Sequence, residues 1–244
     1  MAENSQAGDD SAIVVRVLKY DGSEHRTWPA RVVEQVGPLI VLDAVFAEEV
    51  RHDLTILAQA TELYIADATG GSGLNVRDRS MAVNIEWLLA HQPPGTRIVV
   101  WAHNTHVANR LGDAGLGLEN MGGHLRKRFK AGYVNLGLEF SHGSFQAMRS
   151  ASGLDEITLG EPPESHASVA FARTGKPLLV LDLRSLPARG LVHDWFVAPH
   201  PVREIGSMFS DEQAMTPAQI LPELYDAVMF VEKTTRARPN HGAI

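Results

Sequence analysis

Two histidines, His103 and His106, stand three residues apart in the run WAHNTH, where more chemistry is gathered than anywhere else in the chain. A neutral imidazole can take up a proton, donate a hydrogen bond or ligate a metal. Asn104 lies between them and makes the group His-Asn-Thr-His compact and polar. Arg77, at the start of the preceding helical pattern, can clamp a carboxylate or a developing oxyanion. Its neighbour Asp78 is explained by the positive end of a helix alone. Asn84 falls in mid-helix, where asparagine has poor propensity, so it is either exposed or turned toward the site. His124 in MGGHLR and Arg203 in VREIG join Asn104 and Asn84 as candidate substrate contacts, Arg203 as an anion contact. The competing reading makes one histidine of the pair a cap at the end of a strand and the other a surface residue.

Other chemistries fit less well. His-x-x-His supplies two ligands where a catalytic zinc usually takes three. It also lacks the i, i+4 spacing and internal glutamate of a helical zinc site, so neither metal nor cofactor is expected. Ser144 in HGSF lacks the G-x-S-x-G setting of a nucleophile elbow. Glu161 and His166 in EPPESH read as loop and cap. Gly122-Gly123 permits close backbone approach without forming a phosphate loop.

The elements around these residues alternate. Asn75 reads as the cap of a helix whose Met81, Ile85, Leu88 and Leu89 share one face. Pro93-Pro94-Gly95 stops it, and RIVVWA (97–102) reads as a strand buried on both sides, with the histidines at its C-terminal end, where α/β folds build sites. MGGHLRKRF suggests a helix. YVNLGLEF is a strand ending in a turn at His142-Gly143. ESHASVAFART is a helix with Ser165 as cap, ended by Gly175. PLLVLDL and DAVMFVEKT are further strands. The alternation implies an α/β fold, a largely parallel sheet with helices on both faces. Ahead of it, residues 11–53 read as a β-meander with turns at Asp21-Gly22 and Gly37-Pro38. The α/β domain runs over 54–244, beginning with a helix in LTILAQATELYIAD, and residues 1–10 form a disordered tail.

Composition sets the remaining bounds. At 244 residues and 44% hydrophobic content the chain can bury a core. A net charge of −7 argues against a nucleic-acid surface, which needs a basic stripe. There is no cysteine, hence no disulfide and no thiol nucleophile. No apolar run reaches the length of a membrane helix, and the acidic first ten residues do not read as a signal peptide, so no membrane partner and a cytoplasmic location are expected.

The blocks RDRSMAVNIEWLL, VVWAHNTHVAN, NMGGHLRKRF, YVNLGLEFSHGSF and DAVMFVEKTTRARP together resemble the erythromycin esterase family over residues 54–240. The resemblance implies an α/β fold and water attack on the lactone ester of a macrolide, an activity of antibiotic resistance. A histidine would be general base, with an arginine, acidic groups and further histidines around the carbonyl. His103 and His106 match the family's His-x-x-His pair, and Arg77 matches the arginine that opens the preceding helix. The chain departs from the pattern in two places. The family's Gly-Glu-x-x-His-Gly motif, which supplies the principal base and a partner glutamate, has no equivalent, and Val83 stands where Met-Ala-Glu-Asn has its glutamate. Residues 11–53 instead resemble the opening strands of DUF402 proteins, β-barrel nucleotide phosphatases, without their metal-binding residues.

Three functions follow as expectations. The first is a small-molecule ester or lactone hydrolase, catalysed by His103, His106 and Arg77 and weakened by a missing N-terminal catalytic half. The second is a non-catalytic, truncated remnant that binds ligand. The third, a nucleotide phosphatase, ranks last. A parallel sheet without its first strands would leave an edge open, so a homodimer through that edge is expected.

Overall fold

The computed structural model describes residues 13–18, 24–36, 39–44, 47–113, 117–150, 153–210 and 217–238. The tail at 1–10 and the turns at Asp21-Gly22 and Gly37-Pro38 lie outside them. The chain divides into two compact units, Met1–Thr69 and Gly70–Ile244.

In the first unit β1 (Ile13–Leu18), β2 (Glu24–Val36) and β3 (Leu39–Ala44) pair antiparallel in that order. Helix α1 (Ala47–Ala68) follows, with Leu54, Ile56, Leu57, Tyr64 and Ile65 exposed along it.

The second unit opens with α2 (Gly73–Ala90), which Ser72 caps by accepting a hydrogen bond from the Asn75 N–H. The expected cap, Asn75, sits inside the helix instead and bridges to Gly117 and Glu119. The order continues with α3 (Asn104–Val107), β4 (Leu111–Asp113), β5 (Leu118–Glu119), α4 (Met121–Phe129), β6 (Leu136–Ser150) and β7 (Gly153–Leu159). It ends with α5 (Ala167–Ala172), β8 (Leu178–Asp182), α6 (Leu191–Phe196), β9 (His200–Pro201), β10 (Ala218–Gln219), α7 (Leu221–Leu224) and β11 (Ala227–Thr234).

The α/β class holds, and the main sheet has the order β7-β6-β11-β8. Within it β6 and β11 run parallel, while β6–β7 and β11–β8 are antiparallel. The expectation of a largely parallel sheet is thereby corrected. Parallel neighbours need a long crossover, whereas β7 follows β6 after a two-residue connection and must return antiparallel. One face of the sheet carries Val228, Phe230, Leu179 and Leu181, which pack against Phe171, Phe196, Leu221 and Leu224 of α5, α6 and α7. On the other face Leu136, Leu138, Met229, Val180 and Leu178 are exposed, so among the described residues helices cover one side rather than both. Helices α2 and α4 pack on each other through Ala82, Met121 and Leu125.

Two local expectations also change. Residues 97–102 carry no sheet pairing, and Val99 and Trp101 are 92% and 86% exposed. A strand needs a neighbour's main chain to complete its ladder. At Leu138 the β6 main-chain groups are instead bonded by the Asn104 side chain. The turn expected at His142-Gly143 is absent because β6 runs straight through it. Gly143 takes a φ of 121° there, and a side chain would run into the backbone of Thr234 on β11.

Candidate active site

The side chain that organises the site is Asp78. Because α2 begins at Gly73, Asp78 lies in its second turn, past the reach of that helix's own N-terminal dipole. It is buried, and its Oδ1 accepts the main-chain N–H of Met121 at 2.8 Å. Met121 is the first residue of α4, whose cap Asn120 makes no side-chain capping bond. A carboxylate from another helix therefore satisfies a free N–H at the positive end of α4.

The same carboxylate holds His106, whose Nδ1 lies 2.9 Å from Oδ1 and 3.0 Å from Oδ2. Between an imidazole nitrogen and a carboxylate the nitrogen must donate, so Nδ1 carries a proton and, in the neutral ring, Nε2 is the nitrogen with the lone pair. A buried acid that fixes the tautomer of a partly exposed imidazole is the arrangement by which a histidine serves as general base. Helix α3, which carries His106, is locked from three directions. The Val107 carbonyl accepts the Tyr133 hydroxyl at 2.8 Å and the Asn135 amide at 2.6 Å. The Thr105 carbonyl accepts the Asn120 amide. Finally, Gly122 lies so close that a Cβ there would fall 2.1 Å from the Val107 oxygen. Burial pushes the Tyr133 phenol up to about 12, so it stays a neutral donor.

His103 has other partners. It is the N-cap of α3, with Nδ1 accepting the Thr105 N–H, and its Nε2 donates to the Ile205 carbonyl at 3.0 Å. Both ring nitrogens are thus engaged, and His103 caps a helix start rather than the strand end of the competing reading. Asn104 is engaged likewise, its Nδ2 donating to the Leu138 carbonyl at 2.6 Å and its Oδ1 accepting the Leu138 N–H at 2.8 Å.

Arg203 is buried among main-chain groups. Its guanidinium donates to the carbonyls of Ser141 and Gly160 and lies over the Phe140 ring, 4.9 Å from its centroid. Its N–H donates to the Glu139 carboxyl at 3.1 Å. Burial raises Glu139 from its ordinary 4.5 to about 8, against the pull of the Arg203 and Phe140 N–H groups and the Arg203 charge. His103, Asn104 and Arg203 therefore meet along β6, fastening the 203–205 loop and α3 to the sheet.

The remaining candidates lie elsewhere on the surface of α2 and α4. Arg77 is exposed on α2 one residue from Asp78, and Asn84 is half-buried further along it. On α4 the His124 Nε2 lies 3.4 Å from a Glu119 carboxylate oxygen. Among the described residues no group of three His, Asp or Glu side chains stands close enough to share a metal. No described helix is long and apolar enough to cross a membrane. Sequence reasoning passed over Asp78 and Glu139. The signal for Asp78 was there: a start at Ser72, rather than at Asn75, leaves no dipole argument for an acid six residues on. Glu139 gave its own signal as a lone charge in the apolar run LGLEF.

A family model for erythromycin esterase matches residues 43–234. The chain belongs to the erythromycin esterase family. Among relatives, it is 26% identical over 166 residues to the candidate hydrolase YbfO of Bacillus subtilis (strain 168), covering 66% of this chain and 35% of that protein. Two solved structures share the fold. A succinoglycan biosynthesis protein has a TM-score of 0.58 at 22% identity, and a protein from Bacillus cereus has 0.59 at 21%. Each match covers 67% of this chain and 39% of the solved one. This erythromycin esterase family member thus spans little more than a third of the length of the proteins it matches.

Proposed function

We propose that the chain is a hydrolase of carboxylic esters, with macrolide lactones as the substrate class, and that His106 held by Asp78 is its general base. The carrying observation is the buried Asp78 carboxylate bound at once to the His106 imidazole and to the α4 N-terminus. In the reaction, His106 Nε2 removes a proton from water as the water oxygen bonds to the ester carbonyl carbon. Asp78 balances the imidazolium that forms. Collapse of the tetrahedral intermediate breaks the carbon–oxygen bond of the lactone, and the imidazolium returns the proton to the departing alkoxide. A hydroxy acid results, heavier than the substrate by one water.

Incubation with erythromycin, followed by mass spectrometry, tests the reading. The expected product carries one added water, and its formation is lost in His106→Ala. Absence of that product and of any hydrolysis of simple activated esters would overturn it. One observation favours ligand binding without turnover as the second reading: His103 and Asn104, the core of the motif, spend their polar groups on the protein itself. Retention of macrolide on the immobilised protein without conversion is the outcome that would select it.

A further inference from the structure

We propose that two copies of this chain form a twofold-symmetric dimer by pairing their β8 strands edge to edge, Leu178 of one copy opposite Val180 of the other. Strand β8 ends the main sheet, with β11 on one side and no strand on the other among the described residues. Its register against β11 sets Leu178 opposite Val231 and Leu179 opposite Phe230. The Glu232 N–H donates to the Pro177 carbonyl at 2.8 Å. In an antiparallel ladder this makes Leu178–Val231 a non-hydrogen-bonded pair. Pro177 and Leu179 therefore turn their main-chain groups toward β11, and Leu178 and Val180 turn theirs to the free edge.

That edge lacks the usual protection of proline, inward charge or bulge. Pro177 does not blunt it, because the N–H that proline lacks would have faced β11. A second copy of the same strand supplies matching groups. About a twofold axis at Leu179, the N–H and C=O of Leu178 meet the C=O and N–H of Val180 in the partner, giving four hydrogen bonds over the two symmetric pairs. Leu178 and Val180, 69% and 58% exposed, lie on one sheet face and become cross-strand neighbours. The same register sets Lys176 opposite Asp182. Asp182 is already bonded to Arg184, so this charge pairing selects the register and adds little affinity. The alternative axis at Val180 would set exposed Leu178 against the Asp182 carboxylate, which the chosen register avoids.

The absence of cysteine allows a clean cross-linking test. Under mild oxidation, an equal mixture of Leu178→Cys and Val180→Cys chains should form a covalent dimer, and Val180→Cys alone should form far less. The wild-type chain should sediment as a dimer that dissociates on dilution. Val180→Pro removes the outward N–H without touching the β11 ladder and should leave a monomer with unchanged circular dichroism. If that variant does not fold, Val180→Lys serves the same purpose. A wild-type monomer at every concentration, cross-linking by Val180→Cys as efficient as by the mixture, or a dimer that survives the folded edge variant would each overturn the proposal.

Discussion

At the scale of single residues, one carboxylate sets His106, the proposed base, apart from His103. Asp78 accepts from both His106 and Met121, so Asp78→Asn removes the charge that balances an imidazolium while nearly keeping the shape. Ester hydrolysis should fall by about 10²- to 10⁴-fold, the usual contribution of general base catalysis, and steady-state kinetics with an activated ester would show it. His103→Ala should act differently, lowering stability through loss of a helix cap and of the Ile205 bond. Glu139 gives a pH prediction. Its carboxyl is raised in the folded protein from about 4.5 to about 8, so the folded state binds its proton more tightly than the unfolded state does. That contribution to stability is complete below about 4.5 and is lost as pH rises through 8. One unit corresponds to about 1.4 kcal/mol, so the loss across the window amounts to a few kcal/mol. Denaturant titrations from pH 5 to 9 should show wild-type stability falling, and a clearly shallower fall in Glu139→Gln.

Among the elements, the contact of α3 with α4 is the tightest joint. Gly122→Ala would drive a methyl into the Val107 and Ala108 carbonyls, and only a shift of α4 or α3 can relieve it. Overpacking of this kind costs about 1–3 kcal/mol, and because α4 also carries the N–H that orients Asp78, thermal stability and activity should fall together. Ser72→Ala should cost about 1 kcal/mol through the lost N-cap of α2, measured by urea unfolding, with little effect on the ester reaction. Periodicity made most of these elements legible: the body of α2, the stop at Pro93-Pro94-Gly95, α4, β8 and β11. It misled at residues 97–102, since an apolar β-branched run states that a segment can be a strand but does not supply the neighbour. It also misplaced both helix caps, because Ser72 and His166 cap α2 and α5 where Asn75 and Ser165 were the nearest residues of favoured type.

For the whole molecule, the open sheet face is the main physical consequence of the fold. Leu136, Leu138, Met229, Val180 and Leu178 leave apolar surface in water across three strands, more than isolated exposed side chains account for. The native protein should therefore bind an apolar dye such as ANS, and Leu178→Thr with Val180→Thr should reduce that binding while leaving circular dichroism unchanged.

The sequence alone determined the family, the α/β class and the position of the His-x-x-His pair, because hydrophobic period, helix breakers and short motifs are properties of neighbouring residues. Tertiary structure decided what each histidine does. His106 meets Asp78, 28 positions before it, and His103 meets Ile205, 102 positions after it. An imidazole's free nitrogen is fixed by the partner of its other nitrogen, and that partner is chosen by packing between distant elements. Two histidines three apart thus read as equals in the chain, and they become a carboxylate-bound imidazole and a helix cap only once the fold is in place.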